Sequence, residues 1–232
     1  MAYVRGMKHI LFAAIAALVS FAPAAHAADK VPVPAVEVAE SSQMPMTQVK
    51  PVERPPEIDQ AESYFRSLKT VKARFVQTAP DGTQTRGTFY LNRPGKLRFQ
   101  YDAPLKDFVV ADGLFIYFYD GELGQQTNAP ISQTLADFLL RKELRLTEDL
   151  KVSRILRSGG LMQMTIIQRA EPGAGSITLG FREKPFFELK KWRIKDPQGA
   201  ITEIELFDMQ VGVKLPDSLF AYHDPKGKGL NN

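Results

Sequence analysis

The sequence predicts a mainly β protein, with about eleven short antiparallel strands and two helical segments covering an open face or mouth. Three observations predict it. Short runs of alternating or wholly apolar residues recur from residue 71 to 211, as in Lys96-Leu97-Arg98-Phe99-Gln100-Tyr101-Asp102, and alternation puts successive side chains on opposite faces of a strand. Tight-turn dipeptides separate the runs, among them Asp81-Gly82, Pro94-Gly95, Asp112-Gly113 and Asp120-Gly121. Connections this short exclude parallel crossovers, and an antiparallel sheet this large curls into a barrel or splits into a sandwich.

The chain opens with an export signal over residues 1–27. Arg5 and Lys8 form a positive n-region, Ile10 to Phe21 is apolar and uncharged, and Ala25-His26-Ala27 supplies small residues for cleavage after about Ala27. The apolar stretch is too short to span a bilayer comfortably, and no stop-transfer pattern follows it. Residues 28–56 carry Pro32, Pro34, Pro45, Pro51, Pro55 and Pro56 and read as a disordered linker. The domain is expected at 57–222, with a polar tail at 223–232.

Within the domain, Ile58, Ala61, Tyr64, Phe65 and Leu68 recur on one helical face opposite Asp59, Glu62, Arg66 and Lys69, and Pro55-Pro56 starts that helix. Strands are expected at 71–79, 85–92, 96–102, 106–111, 114–119 and, more weakly, 122–128. The run Leu114 to Tyr119, apolar on both faces, reads as a central strand covered on both sides. A second helix is expected at 131–142 from Ile131, Leu135, Phe138 and Leu139, with Ser132 as its cap. Strands resume at 151–157, 161–169, 175–182, 187–195 and 200–211, and 215–220 reads as a short terminal turn.

Composition excludes several functions. There is no cysteine, and two of the three histidines, His9 and His26, lie in the export signal. The third, His223, lies in the polar tail. Ser-His and Cys-His catalysis therefore lack material, and no metal-ligand spacing is present. Asp107 and Asp112 bracket a strand and a turn, where Asp is ordinary. No catalytic residue, metal or cofactor is expected. Removing residues 1–27 takes two positive charges and leaves 28 Lys+Arg against 26 Asp+Glu, a balance of +2 that argues against nucleic acid as a partner. Without cysteine there is neither a disulfide nor a lipobox for a lipid anchor.

What remains is apolar surface. Phe75, Phe89, Leu91, Leu97, Phe99, Tyr101, Phe108, Val110, Met162, Met164, Ile166 and Leu179 are assigned to one inner face, which fits either a filled core or a ligand cavity. The methionines favour a surface that accommodates variable apolar guests. Arg93, at a hairpin end beside that face, is either a solvated strand-end residue or a set of fixed donors for carbonyls of an overlying helix.

Several stretches resemble one family. Val71-Lys72-Ala73-Arg74-Phe75-Val76-Gln77, Gly87-Thr88-Phe89-Tyr90-Leu91-Asn92-Arg93-Pro94-Gly95-Lys96-Leu97-Arg98-Phe99, Val109-Val110-Ala111-Asp112-Gly113 and Tyr117-Phe118-Tyr119-Asp120 are similar to strands of LolA-type outer-membrane lipoprotein carriers. The resemblance covers about 58–222 and is most specific over 71–120. It implies an incomplete, open antiparallel β-barrel of about eleven strands under a helical lid, with an acyl-chain cavity formed by the inner-face residues above. In that picture Arg93 is the lid gate, bonded to lid backbone in the closed, empty state, and Leu97 faces the lid. Tyr64, Phe65, Leu68, Leu135, Phe138 and Leu139 form the lid's inner face. The implied function is that of a monomeric periplasmic chaperone. It receives acylated lipoproteins from an inner-membrane ABC-type releasing complex and delivers them to an outer-membrane lipoprotein acceptor or to the outer membrane itself. The linker before Ile58 is longer than the family's, and the chain lacks the C-terminal strand of some members.

The alternative is a periplasmic binding module on the same half-barrel that senses lipids or outer-membrane proteins. Energetics shape the carrier reading. Each buried methylene is worth about 0.8 kcal/mol, so long chains enclosed in a dry pocket would not leave. A lid that packs on the empty cavity competes with cargo and restores release.

Overall fold

A computed structural model describes residues 54–225. The expected export signal, residues 28–53 of the linker and the tail beyond residue 225 lie outside the described residues.

Helix α1 (Pro56–Ser67) places Pro56 in its first turn, Glu57 and Asp59 near its N-terminus and Arg66 in its last turn, as the helix dipole favours. It ends at Leu68, whose backbone is extended while its N–H still bonds Tyr64 O at 3.0 Å. Eleven strands follow: β1 (Thr70–Thr78), β2 (Gln84–Asn92), β3 (Lys96–Tyr101), β4 (Phe108–Asp112), β5 (Phe115–Asp120), β6 (Gln125–Pro130), β7 (Leu150–Ser158), β8 (Leu161–Gln168), β9 (Ser176–Arg182), β10 (Glu188–Lys195) and β11 (Ile201–Val211). They form one antiparallel sheet in the order β6-β5-β4-β3-β2-β1-β11-β10-β9-β8-β7. Two meanders therefore meet at the β1–β11 pair, and β6 and β7 are the two edges of an unclosed sheet.

The register carries the inner face across the strands. Phe89 lies opposite Phe99, and Leu91 lies opposite both Val71 and Leu97. On the other meander Met164 lies opposite Leu179, which lies opposite Trp192. The two sets join in one buried cluster with Phe65, Phe138 and Leu139 from the helical segments.

Three expectations are corrected. The segment 131–142 is not one helix but a 3-10 turn (Ile131–Gln133) and a single helical turn, α2 (Asp137–Leu140), and neither has a side-chain cap, so Ser132 does not serve as one. Phe138, Leu139 and Leu140 are all buried. Three consecutive helical residues spread over about 200°, more than one face can bury, so this segment is packed on several sides. The run Leu114–Tyr119 is not central. It forms β5, one strand from the edge, with Leu114 75% exposed.

Phe108 and Val110 are the third correction. They belong to a separate cluster with Tyr119, packed against Tyr117 and Tyr222 on the opposite side of the sheet. The ladder is the reason: Leu97 and Phe99 pair with Ala111 and Val109, so these two turn inward and their neighbours outward. β4 is buried on both faces, and its composition carries no alternation from which the parity could be read.

What covers that outer face is the segment after β11. Its 3-10 turn (Asp217–Phe220) packs on β3 and β4. Lys96 Nζ donates to Asp217 at 2.8 Å, the Arg98 guanidinium lies over the Phe108 ring at 4.7 Å, and Tyr222 stacks on Tyr117 at 4.8 Å. Phe220 is fully buried there. Phe220→Ala is expected to cost about 3 kcal/mol, read as a shift of the urea midpoint. An unchanged midpoint would mean that this segment does not brace the sheet.

Candidate functional site

The hairpin Arg93-Pro94-Gly95 joins β2 to β3, and its tip meets the C-terminal ends of both helical segments. These ends carry carbonyls with no partner inside their own helix. Arg93 donates through Nη1 to Phe65 O, in the last turn of α1, and through Nη2 to Arg141 O, just past α2, at 2.6 Å. Its own N–H bonds Lys69 O at 2.8 Å, and the Gly95 N–H bonds Leu140 O at 2.9 Å. The guanidinium also lies over the Phe65 ring at 5.4 Å. One side chain thus holds two helix ends that lie 76 residues apart in sequence.

Arg93 is buried, at 7% exposure. Its guanidinium bonds backbone carbonyls rather than a carboxylate, and its Nε is buried without a protein partner. Burial lowers its pKa to about 10. The sign matters here. A cation whose folded pKa is depressed opposes closure at every pH below about 10, and that opposition fades only as pH rises through 10. At neutral pH the clasp therefore holds a charge that would be better solvated outside, and charge-assisted bonds offset the cost.

Below the clasp, aromatic rings join helix to sheet. Phe65 meets Phe138 at 6.3 Å and Phe181 at 6.1 Å, and Tyr64 meets Phe181 and Phe187, each at 5.8 Å. Burial pushes the Tyr64 hydroxyl up to about 12. Ten of the residues assigned to the inner face share this cluster: Phe75, Phe89, Leu91, Leu97, Phe99, Tyr101, Met162, Met164, Ile166 and Leu179. Leu68, Phe138 and Leu139 are buried in it, while Tyr64 and Leu135 are partly buried against it. The inner surface is closed over by the protein's own side chains.

A second anchor was not anticipated. Arg141 pairs with Asp137, one turn back, and with Asp149 at 3.0 Å, fastening α2 to the start of β7. Only the Asp137–Arg141 spacing was visible in sequence. Glu62 of α1 accepts the Leu146 N–H at 2.7 Å. The hydrogen bond from Arg141 holds the Asp149 carboxyl below the usual carboxylate range. Its stabilising contribution is present above the unfolded pKa of about 3.9 and is lost as pH falls through the lower folded value. The melting temperature is expected to drop more steeply below pH 4 in the parent than in Asp149→Asn; parallel acid profiles would refute this.

The two aspartates that flank β4 cap turns. Asp107 accepts the Gly121 N–H at 2.7 Å, and Asp112 accepts the N–H groups of Leu114 and Phe115, each at 2.9 Å. Both carboxylates close turns. His223 is exposed. Among the described residues no helix is long and apolar enough to cross a membrane.

An open antiparallel half-barrel, whose apolar concave face is covered by short helices tied at one hairpin, defines a lidded binding scaffold. The comparisons identify which one. The sequence model of the family "Outer membrane lipoprotein carrier protein LolA" matches residues 66–223, and the chain belongs to that family. It is a family of carriers rather than enzymes. The outer-membrane lipoprotein carrier protein of Methylibium petroleiphilum is 29% identical over 73% of this chain and 86% of its own length. That of Legionella pneumophila (strain Lens) is 30% identical over 72% and 85%. Among solved structures, the Mycobacterium tuberculosis lipoprotein LppX gives a TM-score of 0.37 at 14% identity, covering 69% of this chain and 97% of that one.

Proposed function

We propose that the protein is a periplasmic chaperone that carries lipoproteins between membranes, with their acyl chains held against the inner face of the half-barrel. It is exported by its N-terminal signal, which is cleaved after about Ala27. The observation that carries this reading is the Arg93 clasp: a buried cation bonded to carbonyls at two helix ends, over the apolar inner face of the sheet. Membership of the carrier family supports it.

In this mechanism the empty protein keeps its lid shut, and the lid's Phe65 and Phe138 occupy the space that cargo needs. Loading breaks two hydrogen bonds, rehydrates the guanidinium and exchanges lid–sheet contacts for chain–sheet contacts. Release reverses the exchange, so net affinity is the difference between two large apolar terms. An inner-membrane ABC-type complex supplies the cargo, and an outer-membrane acceptor or the outer membrane itself takes it.

The test is co-purification. The protein is isolated from periplasm under non-denaturing conditions and its bound molecules are identified by mass spectrometry. Acylated lipoproteins are the expected result; free phospholipid or glycolipid alone would overturn the reading in favour of a different lipid carrier.

A further inference from the structure

The interior has a way in that does not pass the Arg93 clasp. A groove of about 400 Å3 opens between the 132–141 segment and the far ends of β7, β8 and β9. Leu135, Phe138, Ile166 and Ile177 line it, and all four belong to or pack on the buried cluster, so the groove is continuous with the inner face. Its outer rim carries Asp137 and Asp149, both paired with Arg141, so two negative groups share one positive one. A paired rim of net negative sign over an apolar wall fits an uncharged alkyl chain better than an anion.

The ladder continues this wall inward as one row. Ile166 lies opposite Ile177, Ile177 opposite Ile194, and Ile194 opposite Thr202. Three strand spacings make the row about 14 Å long, close to the ~15 Å of one leaflet of acyl chain. Beyond it the surface changes character. Thr202 and Gln77 are each 1% exposed, and Thr85 lies directly opposite Gln77. Gln77 Nε2, Thr85 Oγ1 and Thr202 Oγ1 are buried with no protein partner, although Gln77 Oε1 accepts from Tyr101 at 2.8 Å.

We propose that this groove and row form a port and track for a single alkyl chain, closed at its inner end by a polar stop of Thr202, Gln77 and Thr85. The assignment rests on the carrier reading and names the route by which one chain of the cargo reaches the interior. The apolar row rewards each methylene. The stop withdraws that reward, because a methyl terminus pressed on it covers donors without replacing their hydrogen bonds. The track accordingly sets a chain length beyond which affinity stops rising.

The sole tryptophan, Trp192, stands two residues from Ile194 on the same strand and face and reports occupancy. Quenching of its fluorescence by brominated fatty alcohols of increasing length gives the affinity series on the exported chain. Binding is expected to tighten about fourfold per methylene and then to level off. Thr202→Val with Gln77→Leu moves the plateau to longer chains. Ala174→Phe, which fills the groove without adding a second tryptophan, weakens binding at least about tenfold. Full-strength quenching in Ala174→Phe, or an unchanged plateau in the double variant, overturns the track. Absence of quenching by any alcohol in the parent protein instead overturns the carrier reading on which the track rests. Thermal melts of each variant separate both results from misfolding.

Discussion

Arg93→Leu is expected to tighten the binding of an apolar probe by about ten- to a hundredfold and to slow its release in proportion. The substitution removes two charge-assisted bonds and strands the carbonyls of Phe65 and Arg141, so the closed lid loses its fastening. Part of that loss returns, because leucine needs no solvation where the guanidinium did. The balance favours opening: carbonyls freed at helix ends find water only when the lid lifts. Arg93→Lys should recover only part of the effect, since one ammonium cannot address two carbonyls through a fixed fork. Probe titration and stopped-flow transfer to acceptor vesicles measure both quantities. Unchanged affinity together with unchanged release would remove Arg93 from the gating role.

The second large effect is on folding. Gly87→Ala is expected to destabilise the protein by about 3 kcal/mol or more, enough to lower its yield in the periplasm. A Cβ at this position meets Gln100 O at 2.2 Å and the Phe75 ring at 2.6 Å. The first neighbour is backbone of β3 and cannot swing aside. The second is fixed by edge contacts to Phe99 at 5.1 Å and Tyr101 at 5.3 Å. Gly87 thus leaves room for the Phe75 ring against the backbone of β2. Urea unfolding followed through Trp192 reads the loss; an unfolding free energy within about 0.5 kcal/mol of the parent's would show that the strand can shift to absorb the methyl.

Much of this architecture was legible because it is local. Each expected strand is present within three residues of its predicted bounds. Alternation gives no parity where a strand is buried on both faces. On β4 the residues Phe108, Val109, Val110 and Ala111 are all buried, and nothing in their order distinguishes the pair facing the lid from the pair facing Tyr222. At 131–142 the apolar spacing resembled a helix because inward residues recur there for a different reason: a 3-10 turn and one α turn deliver them separately. Arg93 was singled out from its hairpin and its resemblance, but its partners Phe65 and Arg141 could not be read from spacing. The Arg141–Asp149 anchor was missed because it joins a helix end to a strand across a loop.

The class of structure, the number of strands, the turns between them and the poverty of catalytic groups are written in the order and type of the residues. These follow from side-chain periodicity and from residue types that act over a few positions. The rest depends on long-range packing. Pairing of β1 with β11 makes two meanders one sheet, leaves β6 and β7 as edges and places the opening beneath the 131–149 segment. It also decided that Arg93 is a buried clasp rather than a solvated strand end. Both outcomes depend on groups far apart along the chain, whose meeting is selected by the burial of one shared apolar face and by the need of helix-end carbonyls for donors.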